Sequence, residues 1–246
     1  LLVWSGLMYS ISNNEIHVWN NKLFSVDLNY SILTHQELYY AEKYPTTSQK
    51  KKYFYTRALL KQILSLYVGI PANEITFENN ASGKPYLCNK KNLYFNLSHT
   101  NTQFCLAIGS TDEIGIDIEA HPESHTMEEI IDYFLTDEEK TNVLNNYADA
   151  DLELNLLRMW TQKEAITKAL GYTLESSLKH INLSPQEKEF IFTYNDTDIH
   201  VKEFIRDNKV IGTLATKHPI SSLKKFGQDD TDSIISLLVG SKSSER

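Results

Sequence analysis

The sequence has few cysteines, no excess of basic residues and no long apolar run, and each absence excludes a class of protein. Of its 246 residues only Cys88 and Cys105 are cysteines, too few for a secreted disulfide framework and without metal-site spacing. The 24 basic and 32 acidic residues give a net charge of −8, which argues against nucleic-acid or anionic-membrane binding through overall charge. The apolar start, Leu1 to Met8, lacks a cationic lead-in and falls short of the roughly 20 residues that span a bilayer. We therefore expect a cytoplasmic protein with no export signal, no membrane partner and no nucleic-acid partner.

The rest of the composition is that of a globular protein. Hydrophobic residues make up 41% and charged residues 23% of the chain, which fits one large domain or two small fused ones. The consecutive lysines Lys50 to Lys52 form the one basic cluster of the sequence. We interpret them as a solvated helix face.

Helical signals occur twice, in the same order. Thr34 and Glu37 have the spacing of a capping box, in which a hydroxyl and a carboxylate satisfy free amides at a helix start. A longer helix is predicted from about Ser48 to Val68, where apolar residues recur on one face, and Gly69 ends it.

The second half repeats these signals. Thr136 and Glu139 form another capping box, and a long helix is predicted from about Asp151 to Leu170, ending at Gly171. Alternating or β-branched segments predict strands around both helix pairs, at 15–19, 23–28, 75–77, 93–97, 104–108, 114–118, 190–194, 199–205 and 210–215.

The two halves match in spacing. The capping threonines lie 102 residues apart, and the helix-ending glycines do as well, which indicates an internal duplication. We predict an α+β pseudo-dimer of two similar lobes, each a small antiparallel sheet packed with a long helix. The predicted lobes are residues 1–112 and 113–220, and the tail, 221–246, is predicted to be a loosely held helix or disordered. A cleft between the lobes is a favoured ligand site.

Asp117 and Glu119 lie in a segment of alternating isoleucines and small or acidic residues, Gly115 to Glu119. On a strand, residues i and i+2 project to one face, so the two carboxylates point together. Such a pair is costly without a cation, and a hard ion such as Mg²⁺ would neutralise it and leave positions for phosphate oxygens. The alternative is a polar strand face in solvent.

Trp160, Glu164 and Lys168 share one face of the second long helix by their i, i+4 spacing. One interpretation is an ordinary Glu-to-Lys pair on an exposed helix beside a core tryptophan. The other makes Glu164 a third metal ligand or a base, and Lys168 an electrostatic partner for charge developing on phosphate.

Two polar pairs lie near predicted strand ends. Ser98 and His99 end an apolar strand, where a sheet delivers side chains to a cleft, although a structurally hydrogen-bonded histidine is the alternative. Lys84 lies before Pro85 and after a glycine, which suits either an ammonium held toward an anion or a surface turn.

Two charged residues on the helices admit structural explanations. Arg57 lies at the edge of the buried face of the first long helix, so it either snorkels to solvent or binds a terminal phosphate through its guanidinium fork. Glu139 is explained by its capping box, without a catalytic role.

Taken in order, these segments resemble the phosphopantetheinyl transferases of the surfactin-synthetase-activating type. The resemblance runs from about Trp19 to Thr216 and implies the pseudo-dimeric α+β fold of that family. It is carried by five motifs: Gly83-Lys84-Pro85, Asn96-Leu97-Ser98-His99, Gly115-Ile116-Asp117-Ile118-Glu119, Phe134-Leu135-Thr136, and Trp160 to Lys168 with Lys163-Glu164 at its centre.

The resemblance implies Mg²⁺-dependent transfer of the phosphopantetheine arm of coenzyme A to a serine of an apo acyl or peptidyl carrier protein. Adenosine 3′,5′-bisphosphate is released. The implied roles are metal binding by Asp117, Glu119 and Glu164, with Glu164 also as base, and contacts to the coenzyme from Arg57, Lys84, Pro85, Ser98, His99 and Lys168.

One departure from the family pattern is visible. The first short helix of the family often carries further basic residues, whereas here only Lys43 lies near that place, which leaves a second 3′-phosphate contact unassigned. The duplicated chain is expected to be monomeric. Two other functions stay open at this point: a metal-dependent phosphodiesterase that uses the same acids on a nucleotide, and a non-catalytic module that docks carrier proteins.

Overall fold

The first half of the chain forms the N-terminal lobe. The computed structural model describes residues 8–88, 92–110, 114–120, 127–172, 178–183, 187–206 and 210–240. The N-terminal lobe contains β1 (Glu15–Lys22), α1 (His35–Ala41), α2 (Thr47–Val68), β2 (Phe77–Asn79), β3 (Pro85–Leu87), β4 (Tyr94–His99) and β5 (Gln103–Gly109).

The C-terminal lobe repeats this order of short helix, long helix and strands. Its elements are β6 (Ile114–Ala120), α3 (Ile131–Phe134), α4 (Asp137–Asn146), α5 (Asp149–Leu170), β7 (Glu189–Tyr194), β8 (Thr197–Arg206) and β9 (Val210–Thr216). Two further elements, β10 (Ser222–Phe226) and α6 (Gln228–Gly240), follow in the chain and pack on the N-terminal lobe. One sheet has the order β10-β1-β5-β4, the other β6-β9-β8-β7, and β2 and β3 form a separate ribbon. The predicted α+β pseudo-dimer is confirmed.

The two long helices, α2 and α5, repeat with the 102-residue spacing that the sequence predicts. α2 and α5 are each 22 residues long, and each ends at a glycine in the left-handed region, Gly69 at φ 76° and Gly171 at φ 75°. Both predicted capping boxes are present, with Thr34 at the start of α1 and Thr136 at the start of α4. Side chains that terminate a helix act within one turn, which is why these boundaries follow from the sequence.

The lobes are joined by a shared core. Isoleucines of β6 pack against Ile16 and Val18 of β1 and against Cys105 and Ala107 of β5. The edge strand β4 lies beside β6, where the Asn96 side-chain oxygen accepts a hydrogen bond of 2.8 Å from the Ile116 amide. The edges of the two sheets therefore meet beside the strand that carries the predicted acidic pair.

One prediction about secondary structure is wrong, and another is incomplete. Residues 23–28 form turns and irregular backbone instead of a strand. The tail contains a helix, α6, as one of its two predicted alternatives, but also β10, which pairs in parallel with β1 and whose segment Ser222–Phe226 has neither the alternation nor the strand propensity to indicate it. The polar pair Asp207-Asn208, whose sequence predicts a turn between two strands, lies outside the described residues, and the lobe boundaries remain predictions. Among the described helices, none is both long and apolar enough to cross a membrane.

Candidate active site

The acidic pair of β6 faces helix α5. Gly115 permits this approach, because a Cβ atom there would come within 1.8 Å of the Ala165 carbonyl oxygen. Asp117 is buried, whereas Glu119, two residues farther along the same face, is half-buried. The close packing of strand on helix therefore places both carboxylates against the face of α5 that carries Glu164.

Asp117 is held by groups from both lobes. Its Oδ1 atom accepts a hydrogen bond of 2.9 Å from Ser98 Oγ on β4 and forms an ion pair of 2.6 Å with Lys168 Nζ on α5. Its Oδ2 atom is buried with no hydrogen-bond donor among the described residues. Because a buried carboxylate oxygen without a partner is costly, this atom indicates a place for a further positive group.

Glu119 and Glu164 lie in a crowded acidic environment. Burial, followed by repulsion from Asp117 and Glu164, raises the pKa of Glu119 to about 8, although the Trp160 indole donates a hydrogen bond to it. Burial and Asp117 likewise raise the pKa of Glu164 to about 7, against the opposing effect of Lys168. Three carboxyl groups thus lie close enough to interact, and near neutral pH Glu119 and Glu164 keep part of their protons unless a cation compensates their charge.

Lys168 is the cation that the site already contains. Its Nζ atom lies 2.6 Å from Asp117 and 3.2 Å from Glu164, the residue one turn earlier on α5. Burial would lower the pKa of Lys168, but attraction to Asp117 and Glu164 outweighs it and raises the pKa. The i, i+4 pair predicted from the sequence is therefore formed, and it lies largely buried between α5 and β6 rather than on an exposed helix face.

Lys84 enters the same region from the loop before β3. Its Nζ atom donates to the carbonyl oxygens of Ile114 at 2.8 Å and of Lys168 at 3.0 Å, which ties the N-terminal lobe to the start of β6 and the end of α5. Pro85, the next residue, is the first residue of β3. The predicted Lys84 thus reaches the site.

His99, the last residue of β4, lies on the rim of the site. Burial and then the positive charge of Lys52 lower the pKa of His99, and Lys168 and Asp117 also contribute to its electrostatic environment. Lys52 belongs to the lysine cluster that the sequence assigned to a solvated helix face. The structure corrects this assignment, because Lys52 is half-buried and interacts with the charge of Glu119.

Arg57 lies apart from the acidic cluster. Its Nε atom is 3.6 Å from Glu37 Oε1, and its guanidinium lies over the Tyr53 and Phe77 rings at 5.6 and 4.8 Å from their centroids. No contact with the acids of β6 or α5 is present among the described residues. Arg57 therefore occupies a separate part of the N-terminal lobe, on the side where α1 packs against α2.

Lys43, the basic residue noted on the first short helix segment, packs on aromatic rings. Its Nζ atom lies 5.4 Å from the Tyr39 ring centroid and 5.3 Å from that of Tyr40. The neighbouring surface of α1 is thus aromatic where the family often has basic residues.

The donor set fits a hard divalent cation. All three carboxyl groups offer oxygen ligands, Asp117 Oδ2 has no partner among the described residues, and burial followed by acid–acid repulsion raises the pKa values of Glu119 and Glu164. In the part of the chain that the structure describes, however, no three acidic, histidine or cysteine side chains are already gathered around one point. Lys168 occupies the space between Asp117 and Glu164, so metal binding requires rearrangement of these side chains.

Sequence reasoning missed a buried partner of Glu139. Besides capping α4, Glu139 forms a fully buried ion pair of 2.6 Å with Lys163 Nζ, which also donates to the carbonyl oxygens of Phe134 and Leu178. The 102-residue spacing was an available signal, because Glu37 and Lys61 form the equivalent pair in the first lobe at 3.0 Å.

Comparison with known proteins covers both lobes. The family model of the 4′-phosphopantetheinyl transferase superfamily matches residues 113–220, and that of the 4′-phosphopantetheinyl transferase N-terminal domain matches residues 17–111. A 4′-phosphopantetheinyl transferase of Nostoc sp., HetI, is 27% identical over 169 residues, which are 66% of this chain and 71% of the relative.

Two other relatives are similar over a smaller share of their length. The 4′-phosphopantetheinyl transferase AcpT of Escherichia coli is 30% identical over 130 residues, which are 53% of this chain and 63% of the relative. The 4′-phosphopantetheinyl transferase pptA of Paxillus involutus is 29% identical over 151 residues, 54% of this chain and 57% of the relative. Because two adjoining family models together cover residues 17–220 except for residue 112, the chain belongs to the 4′-phosphopantetheinyl transferase superfamily.

Proposed function

We propose that this protein transfers the 4′-phosphopantetheine arm of coenzyme A to a serine hydroxyl of an apo acyl or peptidyl carrier protein. Adenosine 3′,5′-bisphosphate is the second product. The observation that carries the proposal is the convergence of Asp117, Glu119, Glu164 and Lys168 between β6 and α5, in a chain that belongs to this transferase superfamily.

In this proposal Asp117, Glu119 and Glu164 hold Mg²⁺ through their carboxylate oxygens. When bound, Mg²⁺ supplies positive charge that neutralises the diphosphate of coenzyme A and lowers its repulsion of an incoming nucleophile. Asp117 Oδ2, buried without a donor, is the oxygen best suited to this role. Ser98 orients the same carboxylate through its hydrogen bond to Oδ1.

Glu164 is proposed to accept the proton of the carrier serine. Its carboxyl group lies between β6 and α5, 3.2 Å from Lys168 Nζ, and a carboxylate within reach of the serine hydroxyl can act as a general base. The serine oxygen forms a bond to the phosphorus that carries pantetheine, and the bond from that phosphorus to the oxygen of the adenosine-side phosphate breaks. The electron pair leaves with adenosine 3′,5′-bisphosphate.

Fixed cations are proposed to bind the phosphates during this step. Lys168 is close enough to the acids to move between them and the diphosphate, because its Nζ atom lies within 3.2 Å of both Asp117 and Glu164. His99 and Lys84 approach from the N-terminal lobe, and Arg57 is assigned to the ribose 3′-phosphate, away from the acids. Preorganised charges of this kind lower the barrier without reorganisation during the reaction.

The protein is proposed to act as a cytoplasmic monomer, with its cleft supplied by its own two lobes. Mass spectrometry of apo carrier proteins incubated with coenzyme A, Mg²⁺ and the protein tests the reaction. We expect a mass gain equal to the phosphopantetheine arm.

Asp117→Asn and Glu164→Gln should each reduce the transfer rate by about 10²- to 10³-fold. Asp151→Asn, an exposed acid on the same helix, serves as the matched control and should keep the wild-type rate. Full activity in both site variants would reject the site. Hydrolysis of coenzyme A in the absence of a carrier would indicate a phosphodiesterase, and carrier binding without turnover would indicate a docking module.

A further inference from the structure

Lys52 differs from the two lysines that precede it. Lys50 forms an ion pair of 2.5 Å with Glu42, and Lys51 is exposed on α2. Lys52 is half-buried, and its Nζ atom donates a hydrogen bond of 3.3 Å to Asn101 Oδ1, in the turn between β4 and β5. Lys52 is therefore the lysine of this cluster that reaches the β4–β5 turn, beside the strand end that carries Ser98 and His99.

The surroundings of Lys52 connect it to the cleft. Asn101 lies two residues after His99, and the charge of Lys52 contributes to the lowered pKa of His99 after the effect of burial. Burial lowers the pKa of Lys52 itself, whereas Glu119 across the cleft acts in the opposite direction. Lys52 thus places a positive charge beside the end of β4 in the N-terminal lobe, while Lys168 places one on α5 in the C-terminal lobe.

The other cations near the cleft are already engaged by strong partners. Lys168 is paired with two carboxylates, Lys84 donates to two backbone carbonyl oxygens, and Arg57 lies against Glu37. Among the described residues, Lys52 has a single neutral hydrogen-bond partner at long distance and no carboxylate within ion-pair distance. An ammonium group has three donors, so Lys52 retains donors for an anionic ligand.

We propose that Lys52 binds a phosphate group of coenzyme A from the N-terminal wall of the cleft, opposite Lys168. This inference rests on the transferase function proposed above and adds a specificity residue to it. Coenzyme A carries phosphate both in its diphosphate and at the ribose 3′ position, and an ammonium group recognises either as a compact point charge. The net charge of −8 makes such a local cation necessary for a polyanionic substrate.

Calorimetric titration of the full chain with coenzyme A, without a carrier, tests the inference directly. Lys52→Met should weaken coenzyme A binding by about 10- to 100-fold, the usual range for one lost charged hydrogen bond. The KM for coenzyme A should rise in parallel, with kcat within about two-fold of wild type. Lys51→Met is the matched control and should leave both constants unchanged, and Lys52→Arg should restore most of the affinity.

Titration with 3′-dephospho-coenzyme A identifies the phosphate. If the effect of Lys52→Met persists, Lys52 contacts the diphosphate, and if it disappears, Lys52 contacts the 3′-phosphate; both results support the inference. Wild-type affinity in Lys52→Met, or equal losses in Lys51→Met and Lys52→Met, would overturn it. A wild-type protein that binds coenzyme A but modifies no carrier would instead contradict the proposed function, and Lys52-dependent binding would remain measurable.

Discussion

The long helices of the two lobes are built alike up to a point. In both α2 and α5 the fifteenth residue is a buried lysine, Lys61 or Lys163, and each lysine pairs with the capping glutamate of the preceding short helix, Glu37 or Glu139. The same residue thus caps one helix and anchors the next in both lobes. This shared device belongs to the scaffold, because both lobes need it to pack their helices.

Two later positions of these helices hold different kinds of residue in the two lobes. The sixteenth and twentieth residues are Gln62 and Leu66 in α2, but Glu164 and Lys168 in α5. Both pairs are largely buried or half-buried, so exposure does not explain the difference. The comparison shows that one lobe has uncharged residues at these positions, whereas the other has a charged pair that lies beside Asp117.

Acids on the two first strands also differ. Glu15 of β1 accepts hydrogen bonds from Lys224 and the Ser12 amide, which lower its pKa to about 2. Glu119 of β6 lies among other acids, and its pKa rises to about 8. The first lobe balances its buried acid with a cation from β10, and the second leaves negative charge for a ligand to balance.

The sharpest test of the comparison replaces the twentieth residue of each helix. Lys168→Met should reduce the transfer rate by about 10²- to 10³-fold in a folded protein, because it removes a preorganised charge from the site. Leu66→Met, a volume-conserving change, should leave the rate near wild type and cost less than about 1.5 kcal/mol of stability. Transfer assays and thermal melting measure both, and equal losses of activity in the two variants would break the proposed division of roles.

Removing the shared lysine should instead affect stability in both lobes. Lys163→Met leaves the buried Glu139 without its ion-pair partner, which typically costs about 3–5 kcal/mol, whereas Lys61→Met leaves the half-buried Glu37 with Arg57 still 3.6 Å away. We expect the larger loss for Lys163, because Phe134 and Leu178 also lose a hydrogen-bond donor. Urea unfolding measures the difference, and a greater loss in Lys61→Met would contradict the ranking. Adding Glu139→Leu to Lys163→Met should recover part of the stability.

The N-terminal caps of α2 and α5 also differ, with a smaller expected effect on stability. Thr46 caps α2 through its side chain, whereas the corresponding residue of α5, Ala148, makes no side-chain cap. Thr46→Ala should cost about 1 kcal/mol, and Ala148→Ser should add a similar or smaller amount. Denaturation curves of both variants measure whether the first loses and the second gains stability. Stabilisation by Thr46→Ala would refute this account.

The smallest expected effect concerns pH. A carboxyl pKa lowered from 4.5 to about 2 adds stability that is fully present above pH 4.5 and is lost as pH falls through 2. Lys224→Met should therefore destabilise the protein at pH 7, by no more than about 1 kcal/mol because Lys224 is 56% exposed. The difference from wild type should shrink toward pH 2. A difference that grows on acidification would show that Glu15 is not its source.

Features that act within a few residues could be predicted from the sequence. The capping boxes at Thr34 and Thr136 set helix starts, the glycines set helix ends, and the alternation around Asp117 placed both acids on one face of a strand. The structure agrees on each of these. Their spacing of 102 residues was sufficient to indicate two similar lobes.

Features that depend on distant segments were misjudged or missed. Lys52 looked like part of a solvated face because its helix alone offers no reason for burial, and only the β4–β5 turn supplies its partner Asn101. β10 was overlooked because its stability comes from the free edge of β1, more than 200 residues earlier in the chain. The capping box of Glu139 is local and visible in the sequence, whereas its ion pair with Lys163 joins residues that are 24 positions apart.

By itself the sequence determined the order of helices and strands, the repeat, and which residues carry charge in the motifs, because hydrogen bonding in helices and alternation in strands are local. Only the tertiary structure decided which charges meet. Burial between β6 and α5 removes water from Glu119 and Glu164, and this desolvation, followed by repulsion from Asp117, raises their two pKa values. Coulomb interactions depend on distance and on the surrounding dielectric, and both are properties of the folded chain.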